Sequence, residues 1–138
     1  MKKILLIIFL IAASIVSAQR GQTGDKTFKD RFPPEVFNEV SNASLLLINE
    51  VDHDIIVSIR DQNKKYLRHV YIRNNEEYVF EDLPITRLYV QFKSKAFFYE
   101  DLDRTVINYG EKHTFNFYFD ASKEGNYFLI TEEEFFKP

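Results

Sequence analysis

The sequence predicts an all-β fold: an antiparallel β-sandwich of about seven to eight short strands behind a cleaved signal peptide. Three observations carry that expectation. From Ala43 onward, apolar residues come in short alternating or continuous runs with turn signals between them. No segment of that region sustains a 3.6-residue period. Aromatic residues make up 16% of the 138, with 14 Phe and 8 Tyr, and such side chains suit half-buried pleated surfaces.

The elements follow in chain order. Met1-Lys2-Lys3 is a short basic start, Ile4–Ile11 is unbroken apolar sequence, and Val16-Ser17-Ala18 fits the small-residue pattern of signal peptidase. Cleavage is expected before Gln19. The apolar core, Ile4 to Val16, is shorter than the ~20 residues needed to span a bilayer. The chain has no Cys, so no bacterial lipoprotein anchor, disulfide framework or thiolate metal site can form. A two-lysine start and disulfide-free export suggest a bacterial protein of the periplasm or the cell exterior. Two of the 18 basic residues lie in Met1–Ala18, so the remainder carries 16 against 21 acidic residues, a charge of −5. That sign argues against nucleic acid and against a polybasic membrane anchor.

Residues 19–42 read as a flexible leader, polar at first with Gly21 and Gly24. Pro33-Pro34 stiffens it, and Pro34 can open a short helical turn through Val40. The domain then occupies residues 43–138. Ser44–Asn49 is an apolar strand. Asp54–Arg60 alternates, with Ile55, Val57 and Ile59 facing the core and Ile56, Ser58 and Arg60 on the other face. Tyr66–Arg73 and Glu77–Leu83 flank Asn74-Asn75. A hairpin with a three-residue loop, Asn74–Glu76, sets Val70 against Phe80, Ile72 against Tyr78 and Arg73 against Glu77. Arg87–Lys93 turns Leu88, Val90 and Phe92 inward. Thr105–Tyr109 and His113–Phe119 flank Gly110-Glu111, with Phe115, Phe117 and Phe119 on one side. Tyr127–Thr131 is the last strand.

Val70-Tyr71-Ile72-Arg73, Tyr78-Val79-Phe80, Leu83-Pro84 and Leu88–Phe92 together resemble small exported bacterial β-sandwich domains of uncharacterised function. In style these are transthyretin-like and carboxypeptidase-regulatory-like. The resemblance covers roughly residues 45–119 and implies the fold. Where those modules carry Pro-x-Gly-x-Tyr, this chain reads Pro84-Ile85-Thr86-Arg87-Leu88, and it has no Trp. The resemblance transfers no catalytic residue.

Chemistry is sparse. His53 lies between Asp52 and Asp54, but neighbouring side chains diverge in extended chain and His69 and His113 lack zinc-type spacing. Glu100-Asp101-Leu102-Asp103 lacks the nearby Gly of a calcium loop and reads as a solvated turn. Glu132-Glu133-Glu134 reads as a solvated edge or tail. None of Ser17, Ser41, Ser44, Ser58, Ser94 and Ser122 sits in a Gly-x-Ser-x-Gly context. No catalytic residue, metal ligand or cofactor is therefore expected. The reading is an exported non-enzymatic binding or structural module whose partner is a protein or a glycan. A small secreted hydrolase or carbohydrate-active protein using scattered carboxylates is one alternative. A secreted inhibitor or immunity-type protein, presenting Lys95–Arg104 as a protruding loop, is another. The sequence sets no oligomeric state. The candidate binding surface is Tyr71, Tyr89 and Tyr118, outward on their strands, because Tyr joins an apolar body to a polar tip.

Overall fold

In the computed structural model, which describes residues 3–4, 20–119 and 126–138, nine strands form two packed sheets. The signal-peptide reading falls almost wholly outside the described residues. No helix among them is long and apolar enough to cross a membrane.

The strands are β1 (Ser44–Asn49), β2 (Ile55–Arg60), β3 (Tyr66–Ile72), β4 (Glu77–Phe80), β5 (Thr86–Ser94), β6 (Phe97–Asp101), β7 (Thr105–Ile107), β8 (Lys112–Phe117) and β9 (Tyr127–Ile130). A three-stranded sheet runs β4-β1-β8, and a six-stranded sheet runs β3-β2-β5-β6-β9 with β7 also paired to β5. The all-β sandwich holds, with two differences of detail. The described residues form nine strands, and β1 pairs with β8 in parallel, Leu45 opposite His113 and Leu47 opposite Phe115. A parallel pair needs a long crossover, and strands β2 to β7 lie between β1 and β8 in the chain.

The expected hairpin at Asn74-Asn75 does not form. A turn does close there, with Glu76 N–H donating to Arg73 O at 3.2 Å and Asn75 left-handed at φ 59°. It carries the chain from one sheet to the other: β3 pairs with β2, and β4 pairs with β1, Phe80 opposite Leu45. The reason is a buried amide. The Asn49 side chain donates to Ile72 O at 3.2 Å and His53 O at 3.0 Å and accepts from Val51 N–H at 3.0 Å. The Asn49 backbone takes Asn75 N–H at 2.8 Å and gives its own N–H to Glu76 O at 3.0 Å. All of these polar groups are satisfied, so burial of Asn49 carries no unpaired-group penalty, and the β3–β4 turn is held against the end of β1.

The main core lies between the sheets. Leu45 and Leu47 of β1, Phe80 of β4 and Phe117 of β8 meet Val57, Ile59, Val70, Leu88, Val90 and Phe92 of the larger sheet. The inward faces of β2 and β5 are those the alternation specifies.

The outward face of β2 is where the structure departs from the sequence reading. Every residue of β2 is buried, Ser58 and Arg60 included. A second core covers this face, built from Phe32, Ile56, Tyr66, Phe98, Phe135 and Phe136. Its lid is a short helix, α1 (Glu132–Phe136), whose three glutamates are exposed, as a solvated run should be, while its two phenylalanines are buried. Thr131 caps it: its hydroxyl accepts from Glu134 N–H at 3.1 Å, and Glu134 Oε2 accepts from Thr131 N–H at 2.8 Å. That reciprocal box holds the first turn and turns Phe135 and Phe136 onto the sheet. Arg60 then ties lid to sheet, with one guanidinium nitrogen on Phe135 O at 2.6 Å and Nε on Gln91 Oε1 at 2.9 Å.

The leader supplies the rest of the cover. Gly24 N–H donates to Tyr71 O and Tyr71 N–H to Asp25 O, both at 2.9 Å, so residues 24–25 shield the outer edge of β3. Val36 N–H donates to Leu67 O at 2.9 Å, and Phe32 stacks on His69 at 4.2 Å between ring centroids. The leader is thus docked rather than flexible. Its helical turn is a 3-10 turn at Lys29–Arg31, and no helix forms over residues 34–40. Nor does Lys95–Arg104 protrude, because β6 occupies its middle and pairs on both sides.

Two buried faces make a direct prediction. Val57→Asp and Ser58→Asp each place an uncompensated charge in a core, so each costs about 3–5 kcal/mol. Urea melts should show comparable losses for both. Near-wild-type stability of Ser58→Asp would show that the outer face of β2 is wet.

Candidate functional site

The three outward tyrosines do not form one ledge. Tyr71 (β3) and Tyr89 (β5) lie on the outer side of the six-stranded sheet, but the register sets Tyr71 against Ile56 and Lys93, four residues along β5 from Tyr89. Tyr118 follows β8, in the other sheet. Each is already engaged. Gly21 crosses the Tyr71 ring so closely that a Cβ there would lie 3.0 Å from it, and the Tyr71 hydroxyl donates to Asp54. Asp54 is also forked by Arg20 at 2.7 and 2.8 Å, and that bond holds its carboxyl well below the usual carboxylate range. Tyr89 lies between Arg104 and Lys64, at 3.9 and 4.8 Å from its ring. The Tyr118 hydroxyl accepts from the Asn126 side chain at 3.3 Å.

A different site forms at the end of the sandwich where the β1–β2 turn meets the β5–β6 turn. Glu50, Asp52 and His53 from the first turn, Ser94 and Lys95 from the second, and Phe97, Tyr99 and Phe119 line a cavity of about 510 Å³. That size and this mixture of aromatic wall and converging polar groups suit a small ligand.

The aromatic wall follows from register. On β6, Tyr99 points inward opposite Phe92 and stacks on it at 5.1 Å. Phe119 continues the inward set of Phe115 and Phe117, yet it lies beyond the last paired residue of β8. It therefore meets Tyr99 at 5.4 Å at the mouth of the sandwich and remains 51% exposed. Phe97, at the start of β6, is 58% exposed.

The polar wall is a hydrogen-bonded chain. His53 Nδ1 lies 2.5 Å from Asp52 Oδ1, and His53 Nε2 is hydrogen-bonded to Ser94 Oγ. The first bond holds the Asp52 carboxyl below its usual range. With that carboxylate as acceptor, Nδ1–H is the donor, and Nε2 faces the Ser94 hydroxyl as an acceptor. Backbone structure fixes both partners. His53 O is held by Asn49, and Ser94 ends β5 just before Lys95, which is left-handed at φ 55° in a two-residue hairpin turn. Ser94 is 4% exposed. The Asp52 side chain is 88% exposed, so water competes for its lone pairs. Lys95 is the cation among the lining residues.

By sequence, His53 lacks metal-type spacing and Ser94 lacks a Gly-x-Ser-x-Gly context. Among the described residues no group of three or more His, Asp or Glu could hold a metal ion. Only the adjacency of Asp52 and His53 was visible in one dimension. The union with Ser94 spans 41 residues and depends on β2 pairing with β5, Ile55 opposite Ser94.

The acidic run separates into distinct environments. Glu100 is buried on the outer face, where its carboxylate accepts from Gln91 Nε2 at 2.7 Å, with Lys64 and Arg104 both at 3.4 Å. Asp101, 7% exposed and opposite Tyr127, has its acid pushed up to about 6 by burial and by neighbouring Asp103.

Comparison with protein-family models, curated proteins and solved structures finds no match to this chain.

Asp101, outside the cavity lining, gives a pH prediction. Its folded pKa lies above the ordinary 3.8, so its stabilising contribution is full below about pH 3.8 and is lost as pH rises through about 6. Asp101→Asn should therefore gain on wild type at pH 8, by roughly 1–2 kcal/mol, and show little of that gain at pH 4. Paired urea melts at the two pH values check this, and an equal difference at both would remove the assignment.

Proposed function

We propose that the chain is an exported binding module that holds a small ligand in the cavity between the β1–β2 and β5–β6 turns. The observation that carries this reading is the exposed pair Phe97 and Phe119 beside the His53–Ser94 bond. The inward residues of β1, β2 and β5 are closed by packing, and here the aromatic set runs out into solvent. A flat apolar portion of the ligand packs on Phe97, Tyr99 and Phe119, and a polar or anionic end reaches Ser94 and Lys95. Export rests on the basic, apolar and small-residue order of Met1–Ala18. The likeness to exported transthyretin-like and carboxypeptidase-regulatory-like domains belongs to the same reading.

A hydrolytic role is the second reading, and the Asp52–His53–Ser94 chain is the specific observation that favours it. Binding leads because Ser94 is almost closed off and Asp52 is almost fully wet, a poor arrangement for repeated turnover.

Two measurements test the proposal. The exported protein should have the mass of a chain beginning at Gln19, and retention of Met1–Ala18 would refute export. 8-Anilinonaphthalene-1-sulfonate, an anionic aromatic dye, should bind in the cavity. Phe119→Ala should weaken it at least fivefold, about 1 kcal/mol. Tyr109→Ala, at a 70% exposed aromatic outside the cavity lining, should leave it unchanged. Equal effects of the two substitutions would sink the cavity as the binding site.

A further inference from the structure

We infer that Ser94 is a site of covalent acylation, taking an acyl group from an activated ester bound in the cavity; this rests on the cavity reading above. Three features converge on the hydroxyl. Its oxygen is hydrogen-bonded to His53 Nε2, the ring nitrogen left free to take a proton. The other ring nitrogen is held at 2.5 Å by Asp52, which fixes the tautomer and favours the imidazolium that forms on proton transfer. Lys95, adjacent in sequence and lining the same cavity, is a cation whose charge offsets the negative charge that develops on an ester carbonyl under attack.

The step balances without any further reactant. The Ser94 oxygen attacks the ester carbonyl carbon while its proton passes to His53 Nε2. The tetrahedral adduct collapses, breaking the bond to the leaving oxygen. The leaving alkoxide or phenoxide departs with the pair from that bond and takes the proton back from His53. The product is one ester on Ser94 and one free alcohol or phenol, with no change of oxidation state.

The same geometry limits the chemistry to a single event. Asp52 is solvated, so its hold on the imidazolium is screened. Ser94 is 4% exposed, so an ester formed on it is largely shielded from attacking water. The inference is capture, not turnover.

The full exported chain, incubated with p-nitrophenyl acetate, should release one equivalent of p-nitrophenolate in a burst. It should gain the mass of one acetyl group, and peptide mapping should place that group on Ser94. His53→Gln keeps a side chain able to hydrogen-bond Ser94 but cannot take a proton, so labelling should slow about a hundredfold. Ser94→Ala should abolish the burst. Ser94→Cys, which keeps a nucleophile at the position, should restore it if the alanine variant fails to fold. The unreactive amide 4-nitroacetanilide should displace the anilinonaphthalene dye from the wild type. Displacement with Ser94 left unlabelled overturns the acylation and leaves the cavity reading intact. Failure of the amide to displace a dye that Phe119→Ala weakens overturns it also, since the ester then has no seat there. Acetyl groups found on lysines rather than Ser94 likewise overturn it. A dye indifferent to Phe119→Ala brings down the cavity reading and this inference together.

Discussion

A central strand buried on both faces governs this structure. β2 has no solvent-facing residue, so the six-stranded sheet cannot be stable with the three-stranded sheet packed on one side only. Ile56, Ser58 and Arg60 require cover as much as Ile55, Val57 and Ile59 do. The chain meets that requirement with its two ends. The leader brings Phe32 and the C-terminus brings Phe135 and Phe136. Fully burying one such side chain contributes about 1.5–3 kcal/mol, and the three rings also pack on one another, Phe32 to Phe136 at 5.0 Å. Arg60 shows how strict the constraint is. Its guanidinium is buried beneath α1, where loss of water depresses its basicity. It is tolerated because its nitrogens meet Gln91, Lys64 O and Phe135 O.

Asn49 does for the connectivity what Arg60 does for the layers. One buried amide holds the end of β1, the following turn, the end of β3 and the crossing between sheets. It also places the cavity, because His53 O is one of its acceptors. The imidazole beside Ser94 is therefore positioned by the same group that determines which sheet β4 joins. Fold and site share a corner.

How much of this was legible follows from the range of each signal. Alternation is local, so the inward sets of β2 and β5 and the position of β1 could be read directly. Pairing partners are not local. Val70 against Phe80 was a sound cross-strand match by residue type, but a buried Asn one strand earlier decided otherwise. Alternation places Ser58 and Arg60 outward, but it reports faces and says nothing of the third layer that buries them. A local signal for that layer did exist. Thr131 followed by Glu134 has capping-box spacing, and Phe135-Phe136 directly after it is an apolar pair that needs burial. The three glutamates masked it. In the site, Asp52 and His53 were visible as neighbours, whereas Ser94 could join them only through the β2–β5 register. Strand face alone marks the tyrosines as outward, whereas the leader over Tyr71 and the basic side chains on Tyr89 are brought there by the tertiary fold.

The closing of the outer core by residues from both ends sets a timetable. A chain emerging N-terminus first makes β1 early, but the parallel neighbour of β1 is β8, and the lid over β2 is the final helix. Neither exists until nearly the whole sequence is out. Contacts so distant in sequence slow the search for the native state. Until Phe135 arrives, one face of the sheet has nothing to pack against. The outer core over β2 is therefore complete only once α1 has arrived, which makes that layer the last part of the fold to close.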